Sequence, residues 1–537
     1  MPWKNFISFG KVRCTTMARK LIALLLGLAM LLSAAVSVSA ESDLHIADDV
    51  TLTFWFDLDL AANVPGMQDY NDSEAYKWLE EQTGIHINWI HPATGTGRES
   101  FNLLFASDDM PDLIYNSIAN KMVYPSGHDM AIADGVYANL KDYEDIMPNY
   151  MAVINSNPAL ARESVTDEGN RWCFFYIYEG GRGPNFGPAI RQDFLDKVGL
   201  PLPETYDDWH TVLTAFKEQL GIEIPLYVYN DTFMWYSEFA AGYGVTRDWS
   251  LAEDGNTVIF GPYMDGYGEY IDMMKQWYAE GLIDQSFSIR TSRWPEDDLL
   301  LNDKVGAFPV YTSWTGHDYY AKRGATNPDF NLVGTKIPVK EGGEAHYRMP
   351  DMLTNTYCVA VNANSKHLEE AIKWMDIQYG PEAAFVLNYG TIEGKEDGSY
   401  YFDEDGNPHW GGIITNNPDG LTQSQGRMRY TTNNAPYEDY NRVKGMWADT
   451  QKETQARLME SDFSGYISDS ITMTEAEQEE FSDIMGDITT FVQEFTANYI
   501  MGNTTQTFDE FRAQLKSMNI ERAIELKQAA VDRYNER

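Results

Sequence analysis

Short runs of β-branched and aromatic residues alternate with capped amphipathic segments along this chain, and that alternation confines it to a layered α/β architecture. Val50-Thr-Leu-Thr-Phe-Trp-Phe56 suits a buried strand. Ser73 follows as an N-cap for a helix over 74–82, which Gly84 stops as the C′ residue. Residues 85–90 form a second strand, 101–107 a short helix and 112–115 a third strand. Strand, helix, strand, helix, strand predicts a mostly parallel sheet.

The same grammar returns further on. Residues 189–193 lead into a helix over 194–198, with Gly199, Pro201 and Pro203 marking the turn. Thr205 caps a helix with Asp207 and Asp208 in its first turn and Trp209, Val212, Leu213 and Phe216 on one face. Strands are expected at 224–229, 305–311 and 357–362, and helices at 264–280 and 368–379. Asp-Gly pairs within 253–256 and 403–407 predict two hairpins. In the second, Asp403 and Asp405 match the start of a calcium loop. Ile414 stands where such a loop needs its bidentate Glu, so the ligand set is incomplete and no metal is expected. From Glu475 onward Phe481, Ile484, Ile488, Phe491, Val492 and Phe495 recur at helical spacing, and Phe508, Phe511 and Leu515 continue a helical layer that packs on something.

Residues 1–40 read as a signal peptide. Arg19-Lys20 precede an apolar run over 21–32, and Val38-Ser39-Ala40 offer small residues for cleavage before Glu41. The run falls short of the ~20 residues a transmembrane anchor needs. Met17 offers an alternative start, since the signal is complete from there. The whole chain holds 40 basic and 81 acidic groups; five of the basic ones and none of the acidic ones lie before Glu41, which leaves 35 against 81, or −46, after cleavage. So acidic a surface repels nucleic acid and anionic lipid. Of three cysteines, Cys173 and Cys358 lie beyond the signal, each in an apolar run. That is no disulfide scaffold; buried free thiols or a single bridge both fit. Roughly 500 residues exceed what one core holds, so two or three domains are expected at ~100–200 residues each.

Several segments together resemble the bacterial extracellular solute-binding proteins of ABC importers, in the oligosaccharide-binding, maltose-binding-protein-like group. They include Phe105-Ala-Ser-Asp-Asp-Met-Pro-Asp-Leu-Ile114, the stretch from Arg191 to Thr205, Gly281-Leu-Ile-Asp284, Lys304-Val-Gly-Ala307, Ala371 to Gly394, Tyr499-Ile-Met-Gly502 and Asp532-Arg-Tyr534. The resemblance implies a two-lobed periplasmic-binding-protein-like (type II) α/β fold, a ligand in the cleft between lobes and a helical C-terminal layer. It places a first lobe at 48–178 plus 355–430 and a second at 179–354 plus 431–537. It also implies a carbohydrate ligand, ABC transporter permease subunits as partners, a monomer, no cofactor and no enzymatic activity. The place is extracellular or periplasmic. No cysteine stands at the cleavage site and Cys14 precedes the apolar run, so no lipid anchor is expected.

Sugars need aromatic rings for their C–H faces and carboxylates, amides or guanidiniums for their hydroxyls. Trp55, Asp57 and Asp59 leave the first strand for a loop; by position they resemble the acidic loop of maltose binders, while Trp55 also reads as core. Tyr115 and Asn116 end the third strand. Trp235 and Tyr236 sit where sugar binders place a stacking aromatic. The resemblance puts a stacking tryptophan just after a strand at Trp314, and Arg348 and Tyr389 complete the candidates. Two other readings stay open: a secreted glycan hydrolase, which needs a carboxylate pair ~5–10 Å apart, and the same fold binding a peptide or small polar metabolite. Neither a nucleophile elbow, a His-Glu-x-x-His zinc motif nor a phosphate loop is present in the sequence.

Overall fold

The computed structural model of the protein describes residues 44–537, apart from 57–60, 94, 108, 119, 231–236, 347–348, 350–351 and 433. In chain order the strands are β1 (Val50–Trp55), β2 (Ile85–Ile90), β3 (Leu113–Ser117), β4 (Phe174–Tyr178), β5 (Phe186–Arg191), β6 (Ile224–Leu226), β7 (Trp249–Leu251), β8 (Val258–Phe260), β9 (Val305–Tyr311), β10 (Leu332–Gly334), β11 (Thr354–Val361), β12 (Tyr400–Phe402), β13 (Pro408–Trp410) and β14 (Tyr437–Glu438). Six of them form one sheet in the order β14-β4-β11-β3-β1-β2, and four form a second in the order β10-β5-β9-β6. The two expected hairpins are β7–β8 and β12–β13.

The expectation of a mostly parallel sheet is corrected. β1 runs parallel to β2 and β3, but β11 lies antiparallel between β3 and β4. In the second sheet β5 is antiparallel to both β9 and β10. Strands that return from far along the chain reverse the direction, and local periodicity carries no trace of their arrival. The return to the first sheet also runs past the expected boundary at 430, because β14 pairs with β4.

Local signals set most helix limits. The helix Glu74–Thr83 ends on Gly84 at φ 72°, a left-handed position that suits glycine. Ser73, expected to cap it, instead donates its hydroxyl to Thr431 O at 2.9 Å. Thr205 and Asp208 close a capping box on the helix Tyr206–Leu220, whose apolar stripe buries Trp209, Val212, Leu213 and Phe216. The helix expected at 101–107 is Gly97–Leu104. The one expected at 368–379 stops at Ile377, and Pro381 opens a second helix to Tyr389. The strand expected at 224–229 ends at Leu226.

One large core joins the first sheet to Trp374 and Met428; another joins the second sheet to Trp209, Ile271 and Trp277. The C-terminal helices Glu475–Ile500, Phe508–Ser517 and Ile520–Glu536 pack into the second core through Ile488, Phe495, Phe511 and Ile520. Phe495 and Phe511 stack at 3.9 Å. Cys173, just before β4, and Cys358, on the neighbouring β11, are free, buried thiols of the first core. Burial and the adjacent Cys358 push the Cys173 thiol well up, which favours the protonated thiol over the thiolate.

Candidate functional site

The sheet registers bring a common set of strand ends together. On the first sheet β1, β3, β4 and β14 end where β11 begins. On the second, β6, β9 and β10 end where β5 begins. The chain passes between these two edges three times: from Tyr178 to Phe186, from Gly334 to Thr354, and from Glu438 into the helix Asp449–Leu458, which packs on β10. Open α/β sheets bind ligands outside the carboxyl ends of their strands, so these edges are the site to inspect.

All three crossings meet at Arg182. Its backbone N–H donates to Met352 O at 3.0 Å on the second crossing. Its guanidinium lies over the Tyr178 ring at 5.6 Å and over the Tyr440 ring, on the third crossing, at 5.3 Å. Asn355 donates to the Tyr178 hydroxyl at 2.9 Å, and Tyr357 packs on Tyr115 at 5.4 Å.

Tyr311 ends β9 on the opposite edge. Its ring meets Phe186 edge-on at 5.1 Å and lies 6.0 Å from Trp294 and 5.6 Å from Trp314. Burial raises the Tyr311 phenol, Arg293 and Arg182 pull it down, and Tyr357 pushes it up. Tyr311 thus stands within electrostatic reach of groups on the first edge. Trp294 and Trp314 touch at 4.8 Å, and Trp314 stacks on Tyr319 at 5.7 Å and 15°. The loop carrying Trp294 is held beside β6, because Tyr227 donates to Ser292 O at 2.8 Å and Asn230 N–H to Arg290 O at 2.9 Å. The result is an aromatic belt with interleaved guanidiniums, the surface that suits sugar rings and hydroxyls.

Of the residues expected from sequence, Trp314 is half-buried in this belt. Four others belong to the interior, and the expectation that they face a ligand is corrected. Trp55 is buried on β1 and packs edge-on against Phe101 at 5.6 Å. Tyr115 is buried under Tyr357 and Phe56. Asn116 donates to Ile114 O at 2.8 Å and accepts from Tyr137 at 3.1 Å inside the core. Tyr389 is buried and donates to Asp439 at 2.5 Å. A strand end alternates faces, and the burial of β3 on both sides sends Tyr115 and Asn116 inward. Asp57, Asp59, Trp235, Tyr236 and Arg348 lie outside the described residues. Asp403 spends its oxygens on its own hairpin: Asp405 N–H at 3.0 Å, Asn407 N–H at 2.8 Å and His409 at 2.8 Å. Among the described residues no group of three or more His, Cys, Asp or Glu side chains is arranged to hold a metal ion.

Sequence reasoning missed Arg182, Trp294, Tyr311 and Tyr357. A signal existed for Trp294: Arg290-Thr-Ser-Arg-Trp-Pro295 combines an aromatic with two arginines in a stretch without helical or strand period.

A family profile described as bacterial extracellular solute-binding protein matches residues 65–385. The chain belongs to that family. The solute-binding family is one of binding proteins, and the fold is its two-lobed type II α/β fold. A fructooligosaccharide ABC transporter substrate-binding protein, FusA of Streptococcus pneumoniae, is 24% identical over 497 residues, 87% of this chain and 88% of its own. A polygalacturonan/rhamnogalacturonan-binding protein of Bacillus subtilis is 25% identical over 244 residues, 44% of this chain and 46% of its own. Among solved structures, an extracellular solute-binding protein from Bifidobacterium longum subsp. infantis shares the fold with a TM-score of 0.69 at 18% identity, covering 90% of this chain and 98% of that one. FusA in complex with kestose shares it at 0.66 and 21% identity, covering 90% and 99%. No described helix of this solute-binding protein is long and apolar enough to cross a membrane.

Proposed function

We propose that this solute-binding protein captures a neutral oligosaccharide between the two sheet edges and delivers it, unchanged, to the permease of an ABC importer. The observation that carries this reading is the aromatic belt of Tyr311, Trp294, Trp314 and Tyr357 beside Arg182. The fructooligosaccharide relative, alike along nearly the whole length, supports it and makes kestose the first probe. The lobes are 48–178 plus 355–430 and 179–354 plus 431–537, with β14 counted to the first; they close on ligand about the three crossings. The protein works outside the cytoplasm as a monomer. It carries no lipid, although one relative is a lipoprotein of Bacillus subtilis; a mature N-terminus of unmodified Glu41 by mass spectrometry supports this and a diacylated residue refutes it.

One observation bears on the hydrolase reading. Among the described residues, burial holds the carboxyls of Glu163, Glu179 and Asp376 above their ordinary range; Glu163 accepts from Thr354 at 2.8 Å where β11 begins, and Glu179 follows the end of β4, near Asp439. The experiment that decides is tryptophan fluorescence on titration with kestose and a wider neutral glycan panel, followed by analysis of the recovered sugar. A saturable shift with intact sugar is expected. Cleaved sugar ends the transport-binding reading, and silence across the panel favours a peptide or other small polar ligand.

A further inference from the structure

Beyond the belt, the second sheet carries a cavity of about 250 Å³ walled by Trp294, Phe308, Trp314, Tyr320, Asp297 and Arg323. Drug-sized ligands occupy ~300–1,000 Å³, so this space suits one sugar ring and excludes a run of several. It adjoins the belt directly, since Trp294 and Trp314 wall it and both pack on Tyr311. Arg323 pairs with Asp297, tying the helix His317–Arg323 to the helix Asp297–Leu300 beside it.

Two polar groups of its walls have no use within the protein. The indole N–H of Trp294 and the hydroxyl of Tyr320 are buried and make no hydrogen bond. Tyr320 is 0% exposed, stacked on Phe330 at 4.4 Å. Buried donors of this kind are rare without a purpose. A sugar hydroxyl, which donates and accepts at once, satisfies either of them with a small movement of the ring. Aromatic walls, an ion pair at the rim and two idle donors in a one-ring volume form a combination that a bare packing defect does not need.

The geometry points to a terminal subsite: the cavity takes a single end ring of the oligosaccharide, so that the protein reads a chain end rather than an internal stretch. This rests on the oligosaccharide reading above. The belt holds the following rings, and the volume behind Trp314 stops the chain from threading further.

The test is calorimetric titration of the full mature chain with kestose, and with maltotriose, xylotriose and mannotriose alongside it. If neither these four nor the wider neutral glycan panel binds the native protein, the oligosaccharide reading fails and this inference fails with it. Given a binding trisaccharide, Trp294→Phe and Tyr320→Phe each remove one donor while keeping a ring. Each is expected to weaken binding about three- to tenfold while the melting temperature holds. Unchanged affinity in both variants overturns the inference and leaves the oligosaccharide reading standing. Affinity lost only together with melting temperature assigns the two groups to packing and overturns it too. The polymer of the bound sugar gives a second measure: one protein per chain is expected, and several copies along one chain refute a terminal subsite.

Discussion

At the scale of single residues, buried Asp376 and half-buried His128 give the molecule opposing pH responses. Asp376 accepts from Tyr150 N–H at 2.7 Å and Asn149 Nδ2 at 2.8 Å, so it caps the helix Pro148–Asn155 from a distance. Burial outweighs those bonds and lifts its carboxyl to about 6. A raised acid binds more protons folded than unfolded. Its stabilising contribution is therefore complete below about pH 4 and is lost as pH rises through 6. Relative to Asp376→Asn, the native protein should lose on the order of 2–3 kcal/mol across that window, read from denaturant midpoints; a pH-independent difference refutes it. His128 runs the other way. It stacks on Trp172 at 3.8 Å, and burial with the nearby Arg537 lowers it to about 4. Its contribution is present above pH 6.5 and lost as pH falls toward 4, and His128→Phe should abolish that slope. At this scale the position of Trp314 just after a strand was legible from sequence, and β9 ends three residues before it. Trp55 and Asn116 were not, since a residue at a strand end reveals its face only once the neighbouring strands are known.

At the scale of elements, the helix Asp449–Leu458 is the piece that fixes the third crossing to the second sheet. Thr454 accepts from Gly334 N–H at 3.1 Å, and Arg457 donates to Gly334 O at 2.9 Å. The helix lies so close that a Cβ on Gly187 would meet Leu458 Cδ2 at 2.4 Å. Gly187→Ala should cost about 1–3 kcal/mol by overpacking, and Leu458→Ala about 2–5 kcal/mol by leaving a void. The double variant should lose clearly less than the sum, because each change relieves the other; strict additivity in chemical denaturation refutes the close packing. Element identity was largely written in caps and glycines: Thr205, Gly84 and the two Asp-Gly hairpins behave as their chemistry predicts. Strand direction was not, since β11 and β14 join their sheet through partners far away in sequence.

At the scale of the whole molecule, Arg182 is the common contact of the three crossings. Burial lowers its guanidinium's affinity for protons, while Tyr178, Tyr440 and Glu438 together raise it to a net upward shift, so the cation between the two rings stays charged. Arg182→Ala should free the crossings from one another. Small-angle scattering should then show a larger radius of gyration without sugar and the native value at saturating kestose; identical unliganded profiles refute that role. The two-lobed plan itself was readable in advance, from the number and order of family-like segments. The exact return point was not, because a two-residue strand such as β14 has no periodicity to detect.

The threading of β11 between β3 and β4 also bears on how the chain is made. The middle of the first sheet is filled by residues Thr354–Val361, and its edge by Tyr437–Glu438. A nascent chain emerging from the ribosome therefore lacks the strand that joins the two halves of this sheet until more than half of it has been synthesised. Pairing across such distances is slow to nucleate. Until β11 arrives, β3 and β4 have no partner between them, so this sheet cannot close before residue 361 is made, and more than three hundred residues of chain must be in place for one layer to form.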